Sequence, residues 1–343
     1  MKNVAGRTRI FGIRSLGVCI PMLISCCLTC AQSTDEVHVL SGNSPKSLPS
    51  GAEILPGQPL HISVDVVLVP VTVSDDKNHP VTTLKKQDFA LFEENKPQEI
   101  RYFSTEESPL SVAILLDVSK SMTDKIDAER AAIVEFFNNA NPDDEYFAIT
   151  FSDRPRELVS STQSIDELQR KFVTIVPGGP TAMLDAVYLA LSKLRSARYE
   201  RKAIVIFSDG GDNASRYTLR EVKSLVQESD VQIYAIGLFD TFLLSPLAEK
   251  LGKMWLSEIT DTTGGRTVTV DHRTKLPEAA AEISHELRNQ YILGYRPEVA
   301  SGNKWRRIKV LATQANSERR LHTYYRKGYL PAGKAQSQNK NPL

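Results

Sequence analysis

Ala113-Ile-Leu-Leu-Asp-Val-Ser-Lys-Ser121 is the stretch from which the rest of the chain is read. Its apolar run stops abruptly at Asp117, and Ser119 and Ser121 follow. A short unbroken apolar run reads as a strand buried on both faces. The polar trio falls where that strand gives way to a helix. In open α/β sheets, ligand sites gather beyond the carboxyl ends of the strands. Three oxygen-bearing side chains at alternate positions of one turn can converge on a hard cation such as Mg²⁺. Two later stretches can complete such a site. Gly178-Gly-Pro-Thr181 precedes a helical pattern, and Ile204-Val-Ile-Phe-Ser-Asp209 is a second buried-looking strand that ends in an acid.

Each of these residues has a plainer reading when taken singly. Ser119 and Ser121 can cap the following helix, Asp117 can accept backbone amides, and Thr181 is placed as a helix N-cap. What distinguishes a site from a set of caps is the full group of Asp117, Ser119, Ser121, Thr181 and Asp209, each at a strand end or a helix start. Asp124, Asp185, Asp212 and Asn213 lie near them in sequence and read as turn caps or solvent-facing groups.

In that order and spacing, the five residues resemble the Asp-x-Ser-x-Ser, Thr and Asp pattern of a von Willebrand factor type A (vWA) domain with a metal-ion-dependent adhesion site. The flanking run Leu84-Lys-Lys-Gln-Asp-Phe-Ala-Leu-Phe-Glu-Glu-Asn-Lys-Pro-Gln98 is similar to the lead-in of the secreted bacterial VWFA-related branch. The resemblance spans roughly Val64 to Tyr329. It implies direct metal ligation by Ser119 and Ser121, and by Thr181 either directly or through water. It further implies that Asp117 and Asp209 hold ligated waters. Hard oxygen donors of this kind suit Mg²⁺, Ca²⁺ or Mn²⁺. With no carboxylate bound directly, the ion stays electrophilic and accepts a Glu or Asp side chain from a protein partner.

The fold class follows from the pattern as well as from the resemblance. Between residues 108 and 289, apolar runs alternate with amphipathic stretches such as Ala128–Asn139, which has Ala131, Ile133, Val134, Phe136 and Phe137 at near-helical spacing. That alternation implies an α/β fold, a doubly wound, mostly parallel Rossmann-like sheet with helices on both faces. Residues 60–107 and 290–328 read instead as short strands separated by turns. We expect them to form one small β-sandwich with the vWA core inserted between its halves; two separate small sheets are the alternative. Residues 329–343 read as a tail.

The N-terminus carries Lys2, Arg7, Arg9 and Arg14, then an apolar stretch to Cys30. This reads as a signal peptide over 1–31. Leu23-Ile-Ser-Cys26 also has the form of a lipobox, so a lipid anchor at Cys26 competes with simple cleavage. Residues 32–59 are rich in Ser, Pro, Gly and Asn and read as a disordered spacer. All four cysteines (Cys19, Cys26, Cys27, Cys30) fall in the leader, so the remainder can form neither a disulfide nor a thiolate metal site.

Charge narrows the partners. The 42 Lys and Arg against 41 Asp and Glu give +1, and setting aside the four basic leader residues leaves −3. Nothing in that balance favours nucleic acid or an anionic membrane. The sequence holds no Gly-x-Ser-x-Gly elbow, P-loop, Gly-x-Gly-x-x-Gly or His-Glu-x-x-His. An Asp at a strand end resembles haloacid-dehalogenase-like phosphatases, but Ser119 stands where their second Asp would be. The expectation is a non-enzymatic, exported (periplasmic or extracellular) module, without a membrane span in its mature form. It would bind a protein ligand through a divalent metal held by Asp117, Ser119, Ser121, Thr181 and Asp209. The alternatives are a metal-dependent hydrolase, or a structural envelope protein with a vestigial site.

Overall fold

Ser111–Asp117 is buried at all seven positions because its two faces meet different helices. The computed structural model of the protein describes residues 66–105, 108–239, 246–298, 304–314 and 320–331. The expected signal peptide, the Cys26 anchor, the spacer and the chain from 332 onward lie outside the described residues.

In chain order the elements begin with β1 (Val67–Ser74), β2 (Phe89–Glu93), β3 (Lys96–Gln98) and β4 (Tyr102–Ser104). Next come β5 (Ser111–Asp117), α1 (Ile126–Asn138), β6 (Glu145–Phe151), β7 (Pro155–Thr162), α2 (Ile165–Val173) and α3 (Met183–Leu194). They are followed by β8 (Lys202–Ser208), α4 (Leu219–Glu228), β9 (Val231–Leu238), α5 (Pro246–Thr260), β10 (Thr267–Val270) and α6 (Leu276–Arg288). The last are β11 (Tyr291–Tyr295), β12 (Arg306–Ala312), β13 (His322–Tyr325) and β14 (Gly328–Tyr329).

The central sheet has six strands in the order β10-β9-β8-β5-β6-β7. All its pairs are parallel except β6 with β7. Side chains alternate along each strand. Val112, Ile114 and Leu116 of β5 join a core with Ile133 and Phe136 of α1 and Ile283 and Leu287 of α6. Ala113 and Leu115 join the opposite core, with Val187 of α3, Val222 of α4 and Ile259 of α5. Burying one such aliphatic side chain contributes about 1.5–3 kcal/mol, so each face favours this single register. From β5 the chain runs out through β6 to β7, then returns past β5 to β8. The strand order therefore reverses between β5 and β8, and in open α/β sheets ligands gather outside the carboxyl ends at such a reversal.

Two four-stranded sheets flank this core, with orders β13-β1-β11-β4 and β14-β12-β2-β3. Each takes strands from both sides of the central sheet in sequence. They share one apolar cluster, including Val71, Leu91, Tyr291, Leu293, Ile308 and Val310.

Several local expectations need correction. β7 is unforeseen because its sequence, Pro-Arg-Glu-Leu-Val-Ser-Ser-Thr, is largely exposed, as suits an antiparallel edge strand. Val81–Leu84, read as a strand, forms none. Ala131 and Val134 of α1 face solvent, and the buried stripe is Glu129, Ala132, Ile133, Phe136 and Phe137. Tyr329, assigned to the tail, closes β14 and is buried. Arg306, in a basic run that reads as a solvated face, is instead buried and lies 2.9 Å from Glu93.

Candidate metal centre

Asp117 is the last residue of β5 and fully buried. Its Oδ1 accepts the Ser119 backbone N–H at 3.0 Å, which folds the chain back immediately after the strand. Its Oδ2 accepts the Ser208 hydroxyl at 2.5 Å, across from the neighbouring strand β8. Asp209 follows directly, also buried. Ser208 Oγ in turn accepts the Gly210 N–H at 3.0 Å, and Asp209 Oδ1 accepts the Gly211 N–H at 3.3 Å. The two strand ends are thus sewn together by the hydroxyl of Ser208.

The remaining loops are tied to these two. Lys120 N–H donates to Gly179 O at 3.0 Å, and Gly178 N–H to Val118 O at 2.7 Å. Thr181 donates its N–H to Asn213 Oδ1 at 2.8 Å, while its carbonyl accepts from Asn213 and Ala214. Asp117, Ser119, Ser121, Thr181 and Asp209 consequently lie on three cross-bonded segments at one end of the sheet. Ser119 is buried and Ser121 exposed, with their hydroxyls 3.0 Å apart.

Thr181 is not the cap that its position promised. α3 begins at Met183 with Ala182 before it and no side-chain cap from that residue. Asp212 supplies the missing acceptor from the Asp209 loop, taking the Leu184 N–H at 2.8 Å. Asp185 is buried and accepts the backbone N–H groups of Arg216 and Tyr217. Asp212, Asn213 and Asp185 therefore hold loops, as expected. The exposed Asp124 contributes a carbonyl to Arg273.

Backbone approach fixes Asp209 from behind. Gly210 has φ +76°, and a Cβ there would lie 2.4 Å from Gly252 O of α5. A Cβ on Gly252 would lie 2.3 Å from Asp209 O. The helix can press on the acid-bearing turn only because neither position carries a side chain.

Two further charged residues, not anticipated from the sequence, belong to this region. Lys125, just before α1, is 2% exposed, and its Nζ lies 3.6 Å from Asp209 Oδ2. Glu129, one helical turn on, is fully buried, and neither carboxyl oxygen has a hydrogen-bond partner. Asp209 Oδ2 likewise has no hydrogen bond. Burial, and then the nearby charge of Asp209, push the Asp117 carboxyl up to about 7, against the hydrogen bonds from Ser119 and Ser208. Burial, and then Asp117, push Glu129 well above the usual glutamate range.

These features suit a hard cation. Two carboxylates repel each other in a dry site, one buried oxygen is left without a hydrogen bond, and two hydroxyls are paired beside them. A divalent ion relieves the first two. Among the described residues, no group of three or more His, Cys, Asp and Glu is placed to hold a metal ion.

Residues 112–211 match the family model described as the von Willebrand factor type A domain. No curated protein matches the chain. Among solved structures, one similar to it is a von Willebrand factor type A protein from Catenulispora acidiphila, with 13% identity and a TM-score of 0.47 over 70% of this chain and 73% of that one. Another is the conserved hypothetical protein BatB from Bacteroides thetaiotaomicron, with 18% identity and a TM-score of 0.43 over 52% of this chain and 98% of that one. A third is proximal thread matrix protein 1 from the mussel byssus, solved with a zinc-occupied MIDAS motif, with 20% identity and a TM-score of 0.42 over 57% and 49% of the two chains.

Proposed function

From a chain that carries a von Willebrand factor type A domain, we infer an exported, non-enzymatic module that binds a protein ligand through a divalent ion. The observations that carry this reading are the buried pair Asp117 and Asp209, the Asp209 Oδ2 free of hydrogen bonds, and the Ser119 and Ser121 hydroxyls 3.0 Å apart in the loop that follows Asp117. Ser119, Ser121 and Thr181 would hold the ion, with Asp117 and Asp209 supplying the surrounding negative charge. When bound, a Mg²⁺-type ion supplies an electrophilic site for a carboxylate. The chain's own part is to fix the donors. Ser208 and the Ser119 amide orient Asp117, the Gly252 backbone backs Asp209, and Asn213 anchors Thr181. The ligand in this reading is a protein that offers a Glu or Asp side chain.

The two serine hydroxyls bond each other, and no histidine is among the residues gathered there, which supports binding over hydrolysis. Export rests on the leader alone. No helix among the described residues is long and apolar enough to cross a membrane.

Thermal unfolding tests the reading, with EDTA, Mg²⁺, Ca²⁺ and Mn²⁺ compared for the parent, Asp117→Ala and Ser119→Ala. A ligand that binds only the folded state adds about 2.7 kcal/mol at 100 times its Kd. The expected result is a metal-dependent shift in the parent that both variants lose. A parent indifferent to all three ions at millimolar concentration overturns the reading.

A further inference from the structure

Lys125 stands out among the charged groups that the metal reading does not use. It is 2% exposed, its ammonium donates to Leu238 O at 3.3 Å, and it lies 3.6 Å from Asp209 Oδ2. Its place is fixed by the chain: Lys125 N–H donates to Met122 O at 2.9 Å, and Lys125 O accepts the Glu129 N–H at 3.0 Å, opening α1. Two buried carboxyls are near. Glu129 is one turn along the same helix, yet the ion pair is made with Asp209, and none joins Lys125 to Glu129 among the described residues. Burying an ammonium beside a single carboxylate is costly, and an apolar side chain of similar volume usually serves a fold as well or better. The charge therefore needs an account other than packing.

We propose that Lys125 is a resident counter-cation of this site: it neutralises Asp209 when no divalent ion is present and lowers the affinity for one. The proposal rests on the metal reading above and concerns how tightly the ion is held. The charges make the argument. Asp117 and Asp209 as carboxylates, with the Lys125 ammonium, form a cluster of net −1. Adding a divalent ion brings it to +1, a centre that attracts an acidic side chain. Without the ammonium the same cluster goes from −2 to neutral: it draws the metal harder and the carboxylate ligand less. Opposite and like charges at these separations, out of reach of solvent screening, act strongly on each other. Lys125 thus exchanges metal affinity for electrophilicity of the bound ion.

The test is Mn²⁺ binding, followed by electron paramagnetic resonance of the free ion, for the parent, Lys125→Met and Lys125→Arg. Lys125→Met is expected to bind Mn²⁺ at least about tenfold more tightly, since a change of ~1.4 kcal/mol in electrostatic interaction is a factor of ten. Lys125→Arg, which keeps the charge, should stay near the parent. A folded Lys125→Met variant that binds equally or more weakly overturns the proposal while leaving the metal reading intact. Binding by Lys125→Met at Mn²⁺ concentrations that leave the parent empty, with the parent filling at higher concentration, supports the proposal. Binding by neither overturns both. A measurement on the parent guards against misfolded variants. In uniformly labelled protein, the Lys125 ε-methylene resonance should move saturably with Mg²⁺ as the ion takes the charge of Asp209. A resonance that stays in place at saturating Mg²⁺ overturns the proposal as well.

Discussion

Asp144 and Asp209 are both buried acids at an end of the same sheet, and their surroundings are opposite. Asp144, just before β6, accepts the backbone N–H groups of Leu110 and Asn141, the Tyr146 hydroxyl and both terminal nitrogens of Arg288. Asp209, just after β8, accepts one backbone N–H at 3.3 Å, and its second oxygen has no hydrogen bond. Neither carboxyl oxygen of Glu129 accepts a hydrogen bond. The pattern repeats elsewhere. Glu286 is held by Arg266, and Glu93 by Arg306 together with the hydroxyls of Tyr295 and Tyr329. Acids that tie the architecture together have their acceptor capacity filled. Asp209 and Glu129 do not, although both kinds are buried. A buried acid with an oxygen that accepts no hydrogen bond is expensive, and its persistence where the strand order reverses points to a ligand that completes it.

Removing a saturated acid tests this contrast most severely. Asp144→Ala removes the carboxylate that meets both terminal nitrogens of the buried Arg288, and should cost about 3–5 kcal/mol in chemical denaturation. Glu129→Leu should do the reverse. It deletes a buried carboxyl that satisfies nothing, and should add about 1–3 kcal/mol at pH 8. The sign with pH follows from the raised pKa of Glu129. In the unfolded chain the carboxyl ionises near its ordinary value of 4.5, whereas in the fold it resists ionisation. Its contribution is therefore most favourable below about pH 4.5 and is lost as pH rises toward the folded value. The advantage of Glu129→Leu should accordingly shrink on acidification. Comparable losses in both variants would break the distinction between saturated and unfilled acids.

The smallest expected effect sharpens it. With the Asp117 carboxyl pushed up to about 7, a metal that needs it ionised must displace a proton below that pH. Affinity for Mg²⁺ should be flat above about pH 7.5 and fall by up to tenfold, ~1.4 kcal/mol, for each unit below about 6.5. Calorimetry at several pH values reads this directly, and a profile flat down to pH 5 would detach Asp117 from metal binding.

Much of this was legible in the sequence because the signals are local. The runs at 111–117, 145–151 and 202–208 are apolar enough to be buried strands, and their polar ends mark where ligands gather. Asp117, Ser119, Ser121, Thr181 and Asp209 carry a spaced pattern that needs no coordinates to find. β7 escaped because an edge strand needs only one partner and tolerates Pro155, Arg156 and Glu157. Lys125 and Glu129 escaped for a different reason. Charged residues at a helix start read as solvent-facing, and the set Ala131, Ile133, Val134, Phe136 and Phe137 mixes the two faces of the helix. A stripe phased on Phe136 and Ile133 runs back through Glu129, which is the signal that could have found it.

By itself, the sequence determined the alternation of strand and helix, the two-sided burial of the central strands and the five oxygen-bearing residues at their ends. These depend on side-chain periodicity and on residues adjacent in the chain. Only the tertiary structure decided that 66–105 and 290–331 share two sheets and that Asp212 rather than Thr181 caps α3. It alone placed the ammonium of Lys125 against Asp209. Such pairings join residues 28 to more than 200 positions apart. They are set by how the folded layers exclude water, which no stretch of sequence encodes alone.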